Sequence, residues 1–336
     1  MVDAFGDASL LETLRHSSTD GYFLLEGHLR RLRASAAVLG GGRSVPDPET
    51  LCQALEAEAR RWPTGEASRV RLLLAPSGEL RVERVALPGG LAHPEIGPLS
   101  AAAPVLVRLD SEAVPRADPT LRHKSTARGQ YDAARTRAAV GEGGVFDVLM
   151  HNAEGELTEC SIANVAVETE AGGWRTPPVA CGLLPGVMRE ALLARGSSLS
   201  EGAVAEGVVT LAELYDALHA GRRLMAFNSV RGQFLLRLDD TDLSRLQQAA
   251  AAATLATAAS AGVATPGGGA AAAGGGAEHA RRAAVRRVPA GGDAQGVRER
   301  LRRHVVGRRR VGGGCAGRRL RGASPRAAGR AGPAAA

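Results

Sequence analysis

Residues 122–135 read Arg-His-Lys-Ser-Thr-Ala-Arg-Gly-Gln-Tyr-Asp-Ala-Ala-Arg, and the third of them, Lys124, is the only lysine in a chain of 336 residues. The other 41 of the 42 Lys and Arg side chains are arginines. A lysine amine can lose its proton in a suitable environment and attack a carbonyl carbon, which an arginine guanidinium cannot do. We therefore interpret Lys124 as a candidate catalytic amine. An ordinary surface lysine is the alternative.

Charge is distributed unevenly along the chain. Residues 250–336 contain 16 arginines and three acidic residues, whereas the whole chain has a formal net charge of only +7. Residues 1–249 are therefore net acidic and offer no electrostatic reason to bind nucleic acid. The four cysteines lie far apart without a Cys-x-x-Cys pair, which argues against a zinc site or a disulfide framework and favours a reducing compartment. We predict no metal site.

Targeting signals are not visible in the sequence. No apolar run reaches the length of a membrane span, and the first residues show no basic region followed by an apolar core. These features predict a cytoplasmic protein without a membrane partner.

The end of the chain has a composition unlike the rest. Residues 246–336 are rich in Ala, Gly and Arg and lack hydrophobic periodicity, which predicts a disordered tail. The runs Arg281–Arg287 and Arg308–Arg310 could hold an anionic partner such as RNA. The alternative is a tail without function, because GC-rich DNA read in the wrong frame encodes mainly Ala, Gly, Arg and Pro.

Hydrophobic periodicity predicts a small α/β unit over residues 1–115. Its predicted helices run from Glu26 to the glycines that begin at Gly40, and over Pro48–Arg61. Its predicted strands are Ser9–Arg15, Gly21–Leu25, Val70–Leu74, Leu80–Val85 and Val105–Leu109.

A larger second domain is predicted over residues 116–245, after a connection that contains Pro115 and Pro119. Its predicted helices are Tyr131–Val140, Val187–Leu193 and Thr210–Ala220. Its predicted strands are Phe146–Met150 and Leu157–Val167, which form a hairpin, together with Arg223–Asn228 and Phe234–Leu238. The chain is therefore expected to have a mixed α/β fold.

A lysine that forms a Schiff base needs a carbonyl partner, and pyridoxal phosphate is the common one. This cofactor also needs a group for its ring nitrogen and a site for its phosphate. Glu159 lies in the apolar strand Leu157–Val167, where a carboxylate needs a partner. It could face the ring nitrogen, or it could be a carboxylate at the rim of a hairpin.

Three segments could hold the phosphate. Gly186 precedes a helix whose first N–H groups, at Val187 and Met188, would point at an anion. Arg31 could add a charged contact. Asn228 and Ser229 end a predicted strand and could donate hydrogen bonds to phosphate or to a substrate carboxylate. The alternatives are an ordinary helix cap and a solvated arginine.

These segments occur in an order that resembles one known family. The order is His28–Ala36, His123-Lys124 with Tyr131-Asp132, Glu159 with Asn164, Leu184–Arg189 and Asn228–Gly232. It is similar to the class IV, or fold-type IV, pyridoxal-phosphate enzymes, which include branched-chain and D-amino acid aminotransferases and 4-amino-4-deoxychorismate lyases. The resemblance covers residues 5–235.

The resemblance implies a fold and a set of roles. It implies a small N-terminal domain and a larger C-terminal domain with pyridoxal 5'-phosphate between them, and a homodimer. It implies that Lys124 is the Schiff-base lysine and moves protons, that Glu159 faces the ring nitrogen, and that Asn164 belongs to the cofactor-binding residues. The implied phosphate contacts are Arg31, Val187, Met188 and Ser229, and the implied substrate contacts are Asn228 and Arg231.

Within the family, three segments look most like the lyases, particularly lyase domains fused behind an aminodeoxychorismate synthase. They are Leu11–Glu26, Thr176–Gly186 and Phe227–Gly232. The resemblance therefore implies conversion of 4-amino-4-deoxychorismate to 4-aminobenzoate and pyruvate, a step of folate biosynthesis with a functional link to a synthase. The alternatives are a class IV aminotransferase, an inactive fragment of a lyase, and a nucleic-acid-binding protein that uses its tail.

The chain departs from the family pattern in two places. Family members usually begin with a further strand pair before the position of Phe5, so the small domain is expected to be truncated at its N-terminus. Cys160 stands beside Glu159 where a smaller residue is common.

Overall fold

The structure is a computed structural model that describes residues 5–39, 45–88, 99, 102–195 and 202–261. All of them belong to one compact unit. The helices are α1 (Leu25–Leu39), α2 (Pro48–Ala59), α3 (Gly129–Arg137), α4 (Val187–Arg195), α5 (Leu211–His219) and α6 (Asp240–Ala261). The strands are β1 (Leu10–Ser17), β2 (Gly21–Tyr22), β3 (Ser68–Leu74), β4 (Leu80–Ala86), β5 (Val105–Leu109), β6 (Val145–His151), β7 (Leu157–Cys160), β8 (Ala163–Glu168), β9 (Trp174–Thr176), β10 (Val204–Glu206), β11 (Leu224–Asn228) and β12 (Gly232–Arg237).

The first sheet has the strand order β2–β1–β3–β4. β1 and β3 run antiparallel, from Leu10 opposite Leu74 to His16 opposite Ser68. Side chains on β3 alternate between buried and accessible positions, so one face of this sheet is apolar. That face packs on α1 and α2 through a core that includes Leu14, Leu29, Leu32, Leu51, Leu55, Val70 and Leu72.

The second sheet has the order β10–β9–β8–β11–β12–β5–β6–β7, and β7 also pairs with β8. The strands from β8 to β7 therefore close on themselves. β5 runs parallel to both β6 and β12, whereas β8 and β11 are antiparallel. This combination of parallel and antiparallel pairs with helices confirms the predicted mixed α/β class.

β5 shows where the division into domains differs from the prediction. The predicted bounds Val105–Leu109 are those observed. The sequence placed this strand in the small unit of residues 1–115, but its pairing with β6 and β12 makes it part of the second sheet. Strand pairing joins residues far apart in the chain, and local periodicity does not indicate it. The domain boundary at residue 115 remains a proposal. The pairing of β5 favours a boundary nearer the N-terminus, before Val105.

Two predicted strands are interrupted in the structure. The segment Gly21–Leu25 keeps only Gly21–Tyr22 as a strand, because Leu24 has a φ of 54° and turns the chain into α1. The segment Leu157–Val167 reverses direction between Cys160 and Ala163, which yields the antiparallel strands β7 and β8. The short strands β9 and β10 were not predicted, since three residues carry no measurable alternation.

α6 contradicts the prediction that residues 246–336 are disordered from their start. The helix continues to Ala261, since alanine has the highest helix propensity. Its first turn is attached to β5: the Asp242 carboxylate accepts from the Leu109 N–H (3.0 Å), and Arg245 donates to the Leu109 carbonyl (2.7 Å). Residues 262–336, where the rest of the predicted tail lies, are outside the described residues. In the described part of the chain, every helix is too short or too polar to cross a bilayer.

Candidate active site

Backbone hydrogen bonds attach the lysine segment to the first residues of β1. The Leu11 N–H donates to the Lys124 carbonyl (2.9 Å), and the Thr126 N–H donates to the Ser9 carbonyl (2.9 Å). α3 follows the segment and contacts β6 of the second sheet. Lys124 therefore lies where the two sheets meet.

Lys124 is half-buried in the cavity wall, and its pKa is lowered to about 8. Burial is the main cause, because it disfavours the charged ammonium, and the charges of Arg31 and Arg128 act in the same direction. The carboxylates of Glu12 and Glu159 oppose the shift. A substantial fraction of the amine is therefore neutral near pH 8, as a base or nucleophile requires.

A cavity of about 380 Å³ opens beside Lys124. All the site residues predicted from the sequence line it. They are Arg31, Lys124, Glu159, Asn164, Val187, Met188, Asn228, Ser229 and Arg231. The structure thus brings together residues from both sheets, and their individual roles remain predictions.

Glu159 is held by three neutral donors. One carboxylate oxygen accepts from the Tyr131 hydroxyl (2.7 Å) and the Leu184 N–H (2.9 Å), and the other accepts from the Asn164 amide (2.9 Å). Burial raises the pKa of Glu159 to about 7, although these hydrogen bonds and the charge of Lys124 oppose the shift. Glu159 is therefore oriented, and it can exchange a proton near neutral pH.

Asn164 reaches Glu159 because of the reversal between β7 and β8. The register places Asn164 directly opposite Glu159. Its side-chain amide also donates to the Leu184 carbonyl (2.9 Å), which ties the segment before α4 to the sheet. A Cβ atom added at Gly186 would lie 1.9 Å from the Asn164 side-chain oxygen, so this position requires glycine.

Arg31 is anchored by a buried carboxylate of β1. It donates from Nε to Glu12 Oε1 (2.9 Å) and from a terminal nitrogen to Glu12 Oε2 (2.6 Å), and its other terminal nitrogen donates to the Pro185 carbonyl (3.0 Å). His28 Nδ1 lies 2.7 Å from the same carboxylate. Burial opposes the ionisation of Glu12, but Arg31 and the hydrogen bond from His28 outweigh it and hold the pKa of Glu12 at about 2.

The start of α4 faces the same cavity through Val187 and Met188. The first N–H groups of a helix have no partner within the helix and can bind an anion. α1 approaches this end of α4 closely, since a Cβ atom at Gly27 would lie only 2.6 Å from a methyl carbon of Val187. Arg31 and the start of α4 are therefore held side by side.

The turn after β11 is stabilised by its own side chain. The Asn228 side-chain oxygen accepts from the N–H groups of Val230 (3.0 Å) and Arg231 (2.9 Å), and its amide donates to the Ile162 carbonyl (3.1 Å). Asn228 lines the cavity, but these contacts use its polar atoms to shape the turn. Ser229 is buried beside it, and the Arg231 guanidinium lies 4.9 Å from the Phe146 ring centroid.

Sequence reasoning missed Glu12, Tyr131 and Arg128 as site residues. A signal for Glu12 was present, because it is an acidic residue in the apolar strand Leu10–Leu14, the same pattern that drew attention to Glu159. Arg128 lies over the Tyr131 ring (4.8 Å) and donates to the Ser161 carbonyl, which depends on the turn between β7 and β8. No sequence signal indicated that contact.

The donor set fits pyridoxal phosphate. The cavity combines an amine with a lowered pKa, a carboxylate oriented by neutral donors, and an arginine beside the start of a helix. These are groups for an aldehyde, a ring nitrogen and a phosphate. The described residues contain no group of three or more His, Cys, Asp or Glu side chains that could hold a metal ion.

Comparisons with known proteins agree with this geometry. The sequence profile described as "Amino-transferase class IV" matches residues 9–234. A Schizosaccharomyces pombe protein named "Putative aminodeoxychorismate lyase" is 30% identical over 225 residues, which are 67% of this chain and 87% of that protein.

Solved structures share the fold. A "Putative amino-acid aminotransferase" from Mesorhizobium loti is 32% identical, with a TM-score of 0.56, over 69% of this chain and 100% of that one. The pyridoxal-phosphate-bound form of a "hypothetical aminotransferase" from Mycobacterium tuberculosis is 19% identical, with a TM-score of 0.54, over 70% of this chain and 82% of that one.

Proposed function

Because the chain belongs to the class IV aminotransferase family, we propose that it is a pyridoxal-phosphate-dependent lyase that converts 4-amino-4-deoxychorismate to 4-aminobenzoate and pyruvate. The observation that carries the proposal is the Lys124 amine, which shares one cavity with Glu159 and Arg31 and whose lowered pKa of about 8 suits proton transfer. The lyase reaction is further supported by the relative of that name and by the segment Phe227–Gly232.

The cofactor would be held at both ends of the cavity. Arg31, the first N–H groups of α4 at Val187 and Met188, and Ser229 would bind the phosphate. Glu159 would face the ring nitrogen, with its carboxylate oriented by Tyr131 and Asn164. When bound, pyridoxal phosphate supplies an electron sink for the carbon that bears the substrate amine.

Lys124 would carry the protons. Its neutral amine would remove the proton from the amine-bearing ring carbon of the substrate, since its lowered pKa lets it act as a base near neutral pH. The bond between the ring and the enolpyruvyl oxygen then breaks, and Lys124 or water supplies the proton that the departing group needs to become pyruvate. The ring becomes aromatic, and no net oxidation or second substrate is required.

An aminotransferase is the second candidate, which the 32% identity to the Mesorhizobium loti protein favours. The same lysine and cofactor contacts serve transamination. The difference lies in what is consumed, because a transaminase needs an amino donor and a 2-oxoacid, whereas the lyase needs one substrate.

The resemblance to the family also supports finer proposals about the setting of the enzyme. We propose a homodimer that acts in the cytoplasm, downstream of an aminodeoxychorismate synthase in the synthesis of a folate precursor. The absolute mass of the cofactor-loaded protein in solution tests the dimer, and a monomer at micromolar concentration would reject it.

The deciding experiment uses the full chain loaded with pyridoxal phosphate. A separate synthase generates aminodeoxychorismate in the cuvette, and the fluorescence of 4-aminobenzoate and the release of pyruvate are followed together. We expect equal amounts of both products without any amino donor, and loss of both in Lys124→Ala. Turnover of Lys124→Ala at the wild-type rate would reject the assignment. Product only with an amino donor and a 2-oxoacid would establish the aminotransferase.

A further inference from the structure

Positive charge is concentrated on the wall of the cavity. The part of the chain that precedes the arginine-rich tail is net acidic, yet Lys and Arg side chains outnumber carboxylates among the residues that line the cavity. The basic residues are Arg31, Arg69, Arg71, Lys124, Arg128 and Arg231, and the acidic residue is Glu159. Such a wall favours anionic ligands.

Most of these arginines have a carboxylate of their own. Arg31 is paired with Glu12, Arg71 donates to Glu83 (2.9 Å), and Arg128 lies 3.9 Å from the carboxylate of Asp132. Arg69 and Arg231 make no ion pair among the residues that the structure describes. Arg231 lies over the Phe146 ring, but neither arginine is neutralised by a carboxylate of the described residues.

The register of the first sheet explains why Arg69 has no partner. Arg71 lies opposite Thr13 on β1 and Glu83 on β4. Arg69, two residues earlier on the same strand, lies opposite Arg15 on β1 and Val85 on β4. Like charges on directly opposed strand positions are unfavourable. β4 therefore supplies a counter-ion to Arg71 but not to Arg69, and β1 places Arg15 opposite Arg69.

Arg15 also connects this sheet to the turn that bears Arg231. Its guanidinium donates to the Val230 carbonyl (3.3 Å), and Asn228 caps the same turn. Burial and the charge of Arg69 lower the pKa of Arg231. Arg69 of β3 and Arg231 of the turn after β11 therefore line the same cavity and lie close enough for their charges to interact.

We propose that Arg69 and Arg231 together bind a carboxylate of the substrate that is remote from its reacting amine, so that the site selects dianionic substrates. Arg15 is a positioning residue, because it holds the turn of Arg231 against β1. The inference rests on the proposed function and names its substrate class: a ring acid that carries a second carboxylate on a side arm, as aminodeoxychorismate does.

The test compares two probes that differ only in that second carboxylate. 3-(Carboxymethoxy)benzoate is a dianion, and 3-methoxybenzoate is a monoanion. Binding of each to the full chain loaded with pyridoxal phosphate is measured by calorimetry at low salt. We expect the dianion to bind roughly tenfold more tightly, as charge-assisted hydrogen bonds to arginine would produce.

Variants assign the preference to the two arginines. Arg69→Gln and Arg231→Gln should each lower the ratio of the two affinities about fivefold while the affinity for the monoanion stays unchanged. Arg81→Gln is the matched control, because Arg81 is an exposed arginine of the same sheet that does not line the cavity. It should keep the wild-type ratio. The wild-type preference should also shrink as salt is raised, which requires no variant.

Equal affinity of the wild type for the two probes, or failure of both to bind, would overturn the proposal. An equal loss of affinity for both probes in the two arginine variants would also overturn it. Probe binding does not require turnover. A retained preference without formation of 4-aminobenzoate would therefore support this subsite and reject the lyase, and formation of 4-aminobenzoate without a preference would do the reverse.

Discussion

Two buried carboxylates flank Lys124, and their ionisation differs because their partners differ. Glu12 and Glu159 are both almost inaccessible to solvent. Glu12 is held by the charged guanidinium of Arg31 and by His28, and its pKa lies near 2. Glu159 is held by a hydroxyl, an amide and a backbone N–H, and its pKa lies near 7. Burial acts to raise the pKa of both carboxylates. The direct pairing with Arg31 and His28 outweighs burial at Glu12, whereas the hydrogen bonds and the charges of Lys124 and Arg128 do not outweigh it at Glu159.

Glu12 stays ionised and anchors Arg31, which lines the cavity. Glu159 lines the same cavity and can take up or release a proton near neutral pH. Changes made around one carboxylate at a time should have effects that decrease in the following order.

The largest effect is expected from removal of the Glu12 carboxylate, which is paired with Arg31 and His28. Glu12→Ala leaves Arg31 and His28 buried without their carboxylate, and loss of one partner of a buried pair costs about 3–5 kcal/mol of unfolding free energy. Urea denaturation of the cofactor-free protein measures it. Glu190→Ala is the control, because its pair with Arg30 is exposed and worth at most about 1 kcal/mol. Equal losses in both variants would contradict the comparison.

The two carboxylates should also affect the pH dependence of stability in opposite directions. Glu12 has a lowered pKa, so the stability it contributes is present above its unfolded value of 4.5 and is lost as pH falls towards 2. Glu159 has a raised pKa, so the folded protein binds the proton more tightly than the unfolded chain does. Stability therefore falls as pH rises from 4.5 to about 7, by up to about 3 kcal/mol.

Denaturation of the cofactor-free protein at several pH values between 4.5 and 7 checks the loss of stability assigned to Glu159. Glu159→Gln should flatten the slope between pH 4.5 and 7, since the glutamine does not titrate. An unchanged slope in that variant would show that Glu159 is not the titrating group.

Arg31→Ala tests the proposed contact between Arg31 and the phosphate of the cofactor. It should weaken the binding of pyridoxal phosphate about 10- to 100-fold, the value of one charge-assisted hydrogen bond. The dissociation constant is measured from the absorption of the bound cofactor. Arg33→Ala on the same helix is the control, because Arg33 is exposed and does not line the cavity. An unchanged affinity in Arg31→Ala would remove Arg31 from the phosphate site.

The smallest effect is expected from Gly186, which lies against the Asn164 side chain before α4. Gly186→Ala would force a methyl group to within 1.9 Å of the Asn164 side-chain oxygen and displace a donor to Glu159. The expected cost is about 1–3 kcal/mol of stability. Gly129→Ala is the control, because an added Cβ there meets nothing within 4 Å. Equal stability of the two variants would show that Asn164 can move freely.

Local sequence predicted most secondary structure and singled out residues that the structure gathers around one cavity. The spacing of Leu29, Leu32 and Ala36 predicted α1, and the bounds of β5 were predicted without error. The residues of the cavity were singled out because glycine, lysine and glutamate stand in positions where their chemistry is unusual, and because their order resembles a family. These signals depend on residues within a few positions of one another.

Contacts between distant residues decided the rest. Asn164 faces Glu159 because the chain reverses between β7 and β8. Arg69 lacks a counter-ion because the register places Arg15 of β1 and Val85 of β4 opposite it. The pKa values of Glu12 and Glu159 likewise follow from partners up to 28 positions away. The sequence by itself thus determined which groups are present, whereas the tertiary structure decided their charge and their partners, because burial and pairing are set by long-range packing.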